Sequence, residues 1–166
     1  MPRTPTLEGP RLRLRALQAA DLPPLTAIRA EPGVLCWWGE IRPDDFDRPE
    51  DGDLLTIEVD GSVAGLIQYD EVIDPMYHSA AIDIYLGADW QGRGLGREAV
   101  GLLARYLIEA RGHHRLTIDP AAGNAPAIRC YEAEGFERVG VMRQYERGAD
   151  GSWHDALLME LIAENV

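Results

Sequence analysis

The residues best suited to do chemistry are Gln91-Gly92-Arg93-Gly94-Leu95-Gly96, set between an alternating apolar segment and a run of helical periodicity. Three glycines within this turn let the backbone approach a ligand closely and adopt dihedrals that a side chain forbids. A helix starting there offers unpaired N–H groups and the positive end of its dipole. Strand, glycine turn and helix start together make an anion site suited to a pyrophosphate. The glycine spacing is G-x-G-x-G, and no βαβ unit supplies a ribose-binding acid at the expected offset, which argues against a dinucleotide turn.

The elements that position this turn follow from periodicity. Ala81–Leu86 alternates, with Ile82, Ile84 and Leu86 on one face and Asp83 and Tyr85 on the other. After the turn, Leu95, Ala99, Leu102, Leu103, Tyr106 and Leu107 recur at helical spacing to about Arg111. Arg115–Asp119 is a short strand. A second helix starts near Pro126 with Asn124 as N-cap and stops at Gly135. Upstream, a strand is expected near Arg11–Ala16 and a helix from Asp21 to about Ala30, with Pro23 and Pro24 confined to its first turn. Pro43–Asp53 reads as an exposed loop. Leu54–Val59 and Ser62–Tyr69 read as strands joined by a tight Asp60-Gly61 turn. Phe136–Arg147 and Trp153–Ile162 form a final strand pair across Asp150-Gly151. The order is mixed α/β within one expected domain, residues 1–166.

The chain of 166 residues is long enough for a full core, and its 46% hydrophobic content with 27% charge reads as soluble and globular. A net charge of −12 argues against nucleic acid as partner and suits a cationic one. Solubility alone also accounts for such an excess. Every basic residue is arginine, which excludes a lysine Schiff base. No apolar run approaches the roughly 20 residues that span a bilayer, and no signal peptide is read at the start, so no membrane partner and a cytoplasmic setting are expected. Cys36 and Cys130 form no CxxC motif, and the histidines show no metal-ligand spacing, so no metal is expected.

The turn at Gln91–Gly96 and the later Asn124, Ala127, Tyr131 and Gly135-Phe136 together resemble the GCN5-related N-acetyltransferase (GNAT) superfamily. The resemblance implies a mostly antiparallel mixed sheet, splayed between its fourth and fifth strands and flanked by helices. It also implies acetyl-CoA as acyl donor. Backbone N–H groups from Arg93 to Arg97 would hold the pyrophosphate, with Arg93 and Arg97 adding charge-assisted bonds. Tyr85 and Leu86 would border the pantetheine arm, with the Leu86 N–H polarising the thioester carbonyl. Gln91, Gly92, Gly94, Leu95, Gly96, Asn124 and Ala127 complete the cofactor set. Tyr131 stands where the family often has its general acid, and packing over the cofactor arm is its alternative role. Asp83 is the best candidate base for an incoming ammonium; an exposed surface carboxylate is the alternative. Cys130 reads as a small core residue.

Within the superfamily the chain resembles aminoglycoside 6′-N-acetyltransferases, enzymes of antibiotic resistance. Trp37-Trp38-Gly39, Ala81-Ile82-Asp83 and Thr117-Ile118-Asp119-Pro120 carry that likeness. It implies an acceptor pocket of Trp37, Trp38, Asp70, Glu71, Asp83 and Asp119 for a small polycation. The closing Gly151-Ser152-Trp153-His154-Asp155 also occurs in acetyltransferases of protein N-termini, which with other amine metabolites is the second acceptor class. A catalytically silent acetyl-CoA sensor is the third reading. A monomer and a homodimer are both compatible with the pattern.

Overall fold

The computed structural model describes residues 2–165. Its elements are β1 (Leu7–Glu8), β2 (Arg13–Ala16), α1 (Leu22–Arg29), α2 (Pro32–Trp38), β3 (Gly52–Val59), β4 (Ser62–Val72), β5 (Ser79–Leu86), α3 (Leu95–Glu109), β6 (Arg115–Ile118), α4 (Ala125–Glu134), β7 (Glu137–Arg147) and β8 (Trp153–Ile162). The strands form one open sheet in the order β1-β2-β3-β4-β5-β6-β8-β7. Among the described residues, no helix is long and apolar enough to cross a membrane.

Local chemistry sets most boundaries. The β3–β4 hairpin turns on Asp60 and Gly61 at φ 50° and 78°, the two positive values that a tight two-residue hairpin requires. Pro23 and Pro24 occupy the first turn of α1, where a missing N–H leaves no helical bond unmade. The Asn124 side chain accepts from the Ala127 N–H to cap α4, and Gly135 ends that helix at φ 109°.

Two apolar layers sandwich the sheet. On one face, Leu95, Ala99, Leu103 and Leu107 of α3 meet Leu55, Ile67, Ile82 and Leu116. Each fully buried Leu or Ile there contributes roughly 1.5–3 kcal/mol. On the other face, Leu25 and Ile28 of α1 and Val34 of α2 meet Leu54, Leu66 and Tyr85. The alternation along β5 therefore sends Ile82 toward α3, and Asp83 and Tyr85 toward the α1–α2 side.

One junction in the sheet is parallel, and it is short. β5 pairs with β6 only at Ala80↔Leu116 and Ala81↔Thr117, while the remaining neighbours run antiparallel. Past Ala81 the two strands separate, and the end of β5 from Asp83 to Leu86 borders a slot. This is the expected splay, displaced by one in the strand count because β1 precedes it.

Two expectations are corrected. β4 continues to Val72, so Asp70 and Glu71 are alternate strand positions and not a shared loop pair. Asp70 falls on the α1–α2 side, whereas Glu71 turns to the opposite face. There Glu71 is buried, 2.9 Å from Arg111 and 2.7 Å from His113. It is a structural ion-pair partner and not part of an acceptor pocket. The loop from Pro43 also ends earlier than expected, since Gly52 opens β3 and buried Asp53 accepts the Thr4 N–H at 2.8 Å.

Candidate active site

The glycine turn presents unpaired backbone donors. Gly92 and Gly94 sit at φ 74° and 76°, a region open to glycine at little cost. The first bond of α3 runs from the Glu98 N–H to the Gly94 carbonyl at 3.1 Å. Among the described residues, no protein group accepts the N–H of Gly92 through Arg97. The turn is held from outside: Arg11 donates to the Arg93 carbonyl at 2.6 Å and pairs with Glu98 at 2.7 Å. Gln91 donates its amide to the Leu86 carbonyl at 2.8 Å, tying the turn to the end of β5. Because the Gly87 N–H goes to Ala64 on β4, alternation points the Leu86 N–H to the slot side.

These donors open onto a cavity of about 620 Å³. Tyr85, Leu86, Gln91, Gly92, Gly94, Leu95, Gly96, Arg97, Asn124, Ala127 and Tyr131 all line it. Arg93 does not; its guanidinium stands 5.5 Å over the Trp90 ring. Arg97 lies 3.2 Å from Glu134. Val34, Ile84, Trp90 and Cys130 extend the apolar wall, so Cys130 borders the ligand path besides packing against the core. A Cβ added at Gly96 would come 3.5 Å from Leu86 and 3.8 Å from Cys130, filling part of the cradle. An apolar channel ending in free N–H groups fits a pantetheine arm followed by a pyrophosphate.

Trp37, Trp38, Ile84, Asn124, Ala127 and Tyr131 also line a second cavity, of about 300 Å³, on the other side of the slot. Asp83 and Asp119 lie in it, from opposite sides of the splay. Asp70 lines a third space of about 720 Å³ with Gln68 and Tyr85. Burial raises Asp83, and the charges of Asp119, Asp70 and Glu146 raise it further, while a bond from Gln68 pulls it back; it is pushed up to about 7. Burial also raises Asp70 and Asp119. Tyr131 is 7% exposed, and burial lifts its phenol well above the ordinary tyrosine range. Trp38 packs edge-on against Tyr85 at 4.9 Å, while Trp37 stays 40% exposed at the mouth.

Sequence reasoning missed two acceptor-side residues, Tyr145 and Glu146. Met142 pairs with Ala156 and Glu146 with His154, so three residues of β7 oppose Asp155 alone. Such a bulge re-aims side chains that simple alternation would leave elsewhere. Gln144 sits in it at φ 50°, and its N–H donates to Asp155 at 2.8 Å. Tyr145 thereby joins Asp83 and Asp119 in the second cavity, and Glu146 enters both acceptor cavities. A residue count along a strand carries no mark of an unpaired insertion.

Residues 14–136 match the model of the Acetyltransferase (GNAT) family. The [Ribosomal protein uS5]-alanine N-acetyltransferase of Escherichia coli (strain K12) is 27% identical over 99 residues, 60% of this chain and 50% of that protein. The chain thus spans about half the length of that relative. The Spermidine N(1)-acetyltransferase of Vibrio cholerae is 23% identical over 162 residues, 91% of this chain and 92% of that protein. Mycobacterium smegmatis RimJ, solved in complex with CoA-disulfide, shares the fold at a TM-score of 0.82 and 22% identity, over 93% of this chain and 83% of that one.

Proposed function

The chain belongs to the acetyltransferase (GNAT) family, whose acyl donor is acetyl-CoA, and we propose that it acetylates a primary amine of a small cationic acceptor. One observation carries the acceptor class. Asp70, Asp83, Asp119 and Glu146 converge on the slot, and among the described residues none has an ion-pair partner. Asp45, which lines the same space as Asp70, is neutralised by Arg29, and elsewhere in the protein Asp21 pairs with Arg15 and Glu71 with Arg111. Carboxylates left uncompensated in a partly desolvated cleft favour a cation.

Acetyl-CoA supplies an acetyl group activated as a thioester. The N–H groups of Gly92 through Arg97 bind its pyrophosphate, and the apolar channel along Leu86 and Ala127 excludes water from the arm. The Leu86 N–H faces the place where carbonyl charge develops. Asp83 accepts a proton from the ammonium of the acceptor, and a carboxylate near 7 is matched to that task at neutral pH. Tyr131, on the wall shared by both cavities, donates a proton to the departing sulfur.

Aminoglycosides and polyamines are both polycations of the kind this slot suits, and the spermidine-acetylating relative supports the polyamine side. The second reading is the amine of a protein N-terminus, favoured by the relative that acts on a ribosomal protein alanine. CoA release with aminoglycosides, polyamines and short peptides separates them. Turnover confined to peptides would overturn the small-cation reading, and tight acetyl-CoA binding without any turnover would leave a sensor.

A further inference from the structure

Arginine is seldom buried, yet Arg29 at the end of α1 is 4% exposed. Its guanidinium lies 3.2 Å from Asp45 on the loop after α2, and it donates to the carbonyls of Trp38 at 3.4 Å and Gly39 at 3.2 Å. Those carbonyls end α2, a helix with no basic residue in its own last turn. The same group stands 5.3 Å from the Trp38 ring centroid and 5.7 Å from that of Tyr85, whose hydroxyl lies beside it. Thus α1, α2, β5 and the loop converge on one side chain. What it holds is a shared wall. Among the described residues, only Trp38 lines the donor channel, the cavity of Asp83 and Asp119, and the space of Asp70. A buried ion pair adds little net stability over an apolar replacement, so one placed under this wall is better accounted for by the geometry it imposes.

Resting on the proposed acceptor site, we propose that Arg29 is a positioning residue of the transfer: it fixes Trp38 as the partition that aligns the acceptor amine with the thioester. The planar guanidinium spans two carbonyls and one carboxylate at once, which the point charge of an ammonium cannot do. Without that span Trp38 loses its fixed place at the seam between donor and acceptor cavities. A shift of about 1 Å in a group that positions substrate costs up to about 100-fold in rate. Asp45 holds the charge of Arg29, so Arg29 acts through the indole and not on a ligand.

The test offers spermidine, kanamycin and a short peptide with an N-terminal alanine to the wild type, and the amine turned over best carries the comparison of variants. Arg29→Lys keeps the counter-charge of Asp45 but not the span, and should lower acceptor kcat/KM about tenfold or more, mainly through KM. Calorimetry should show acetyl-CoA affinity nearly unchanged, because the N–H groups of Arg93 to Arg97 stay in place. Asp45→Asn frees the guanidinium from its other anchor and should act in the same direction by a smaller factor. Glu71→Gln removes a buried ion pair on the opposite face of the sheet and sets what lost stability alone does to the kinetics. In a Trp38→Ala background the cost of Arg29→Lys should shrink to under about twofold, since the group it positions is gone. Acceptor kcat/KM no lower in Arg29→Lys and Asp45→Asn than in Glu71→Gln, or a cost fully retained without the indole, overturns the positioning role while leaving the acetyltransferase reading intact. Turnover confined to the peptide overturns only the small-cation reading, and the peptide then carries the comparison. No turnover with any of the three amines refutes the acceptor site and this role with it.

Discussion

Asp83→Asn should make the enzyme more stable at neutral pH and much less active. Asp83 titrates from an ordinary value of 3.8 to about 7 in the folded protein. A raised acid binds its proton more tightly folded than unfolded, so stability falls as pH climbs through that window and levels above it. At about 1.4 kcal/mol per pH unit the full loss is about 4 kcal/mol, and water reaching the partly open carboxylate cuts it to roughly 2–4 kcal/mol. Asparagine keeps the shape without the charge. The variant should therefore match the wild type near pH 4 and exceed it at pH 8, by roughly 5–15 °C in melting temperature at 2–4 °C per kcal/mol. Its acetyl-transfer rate should drop about 10²- to 10⁴-fold, with loss of the pH–rate inflection near 7. Thermal unfolding from pH 4 to 8 and stopped-flow CoA release read both effects. If the variant melts no higher than the wild type at pH 8, the burial argument fails; if the rate profile keeps its inflection, Asp83 is not the base.

Other substitutions probe separate parts of the site. Tyr131→Phe should slow single-turnover acetyl transfer at least about tenfold with CoA affinity nearly unchanged; an unchanged rate would leave Tyr131 a packing role. Gly94→Ala forces a side chain into φ 76° at about 1–2 kcal/mol, and calorimetry should show weaker CoA binding, whereas unaltered affinity would refute the glycine requirement. Glu71→Gln should destabilise by about 3–5 kcal/mol, because Arg111 loses its buried counter-charge and His113 a charged hydrogen-bond partner. Its acceptor KM should stay constant; a rise would return Glu71 to the substrate pocket.

Much of the donor half was legible because local rules govern it. The Asp60-Gly61 turn, the Asn124 cap, the stop at Gly135 and the glycine turn each follow from dihedrals that few other residues accept. The splay between β5 and β6 came from resemblance, and two register pairs embody it. The acceptor half was less legible because it depends on register. Asp70 and Glu71 are adjacent acids with similar propensities, and only the length of β4 decides that one faces the slot and the other Arg111 and buried His113. Tyr145 and Glu146 depend on a bulge held by Asp155, a residue on another strand. The burial of Asp53 depends on Thr4, far away in sequence. Nonlocal partners of this kind leave no periodic trace.

The short β5–β6 junction also bears on how such a protein changes over generations. The donor cradle belongs to β5, α3 and α4, whereas Tyr145 and Glu146 hang on the β7–β8 hairpin, which joins the sheet through four register pairs with β6. Insertions or substitutions within residues 143–155 can reshape the acceptor wall while the glycine turn and its Arg11 clamp stay untouched. The fold thus separates a fixed currency, the activated acetyl group, from an exchangeable recipient, and lineages can swap recipients by remodelling one hairpin.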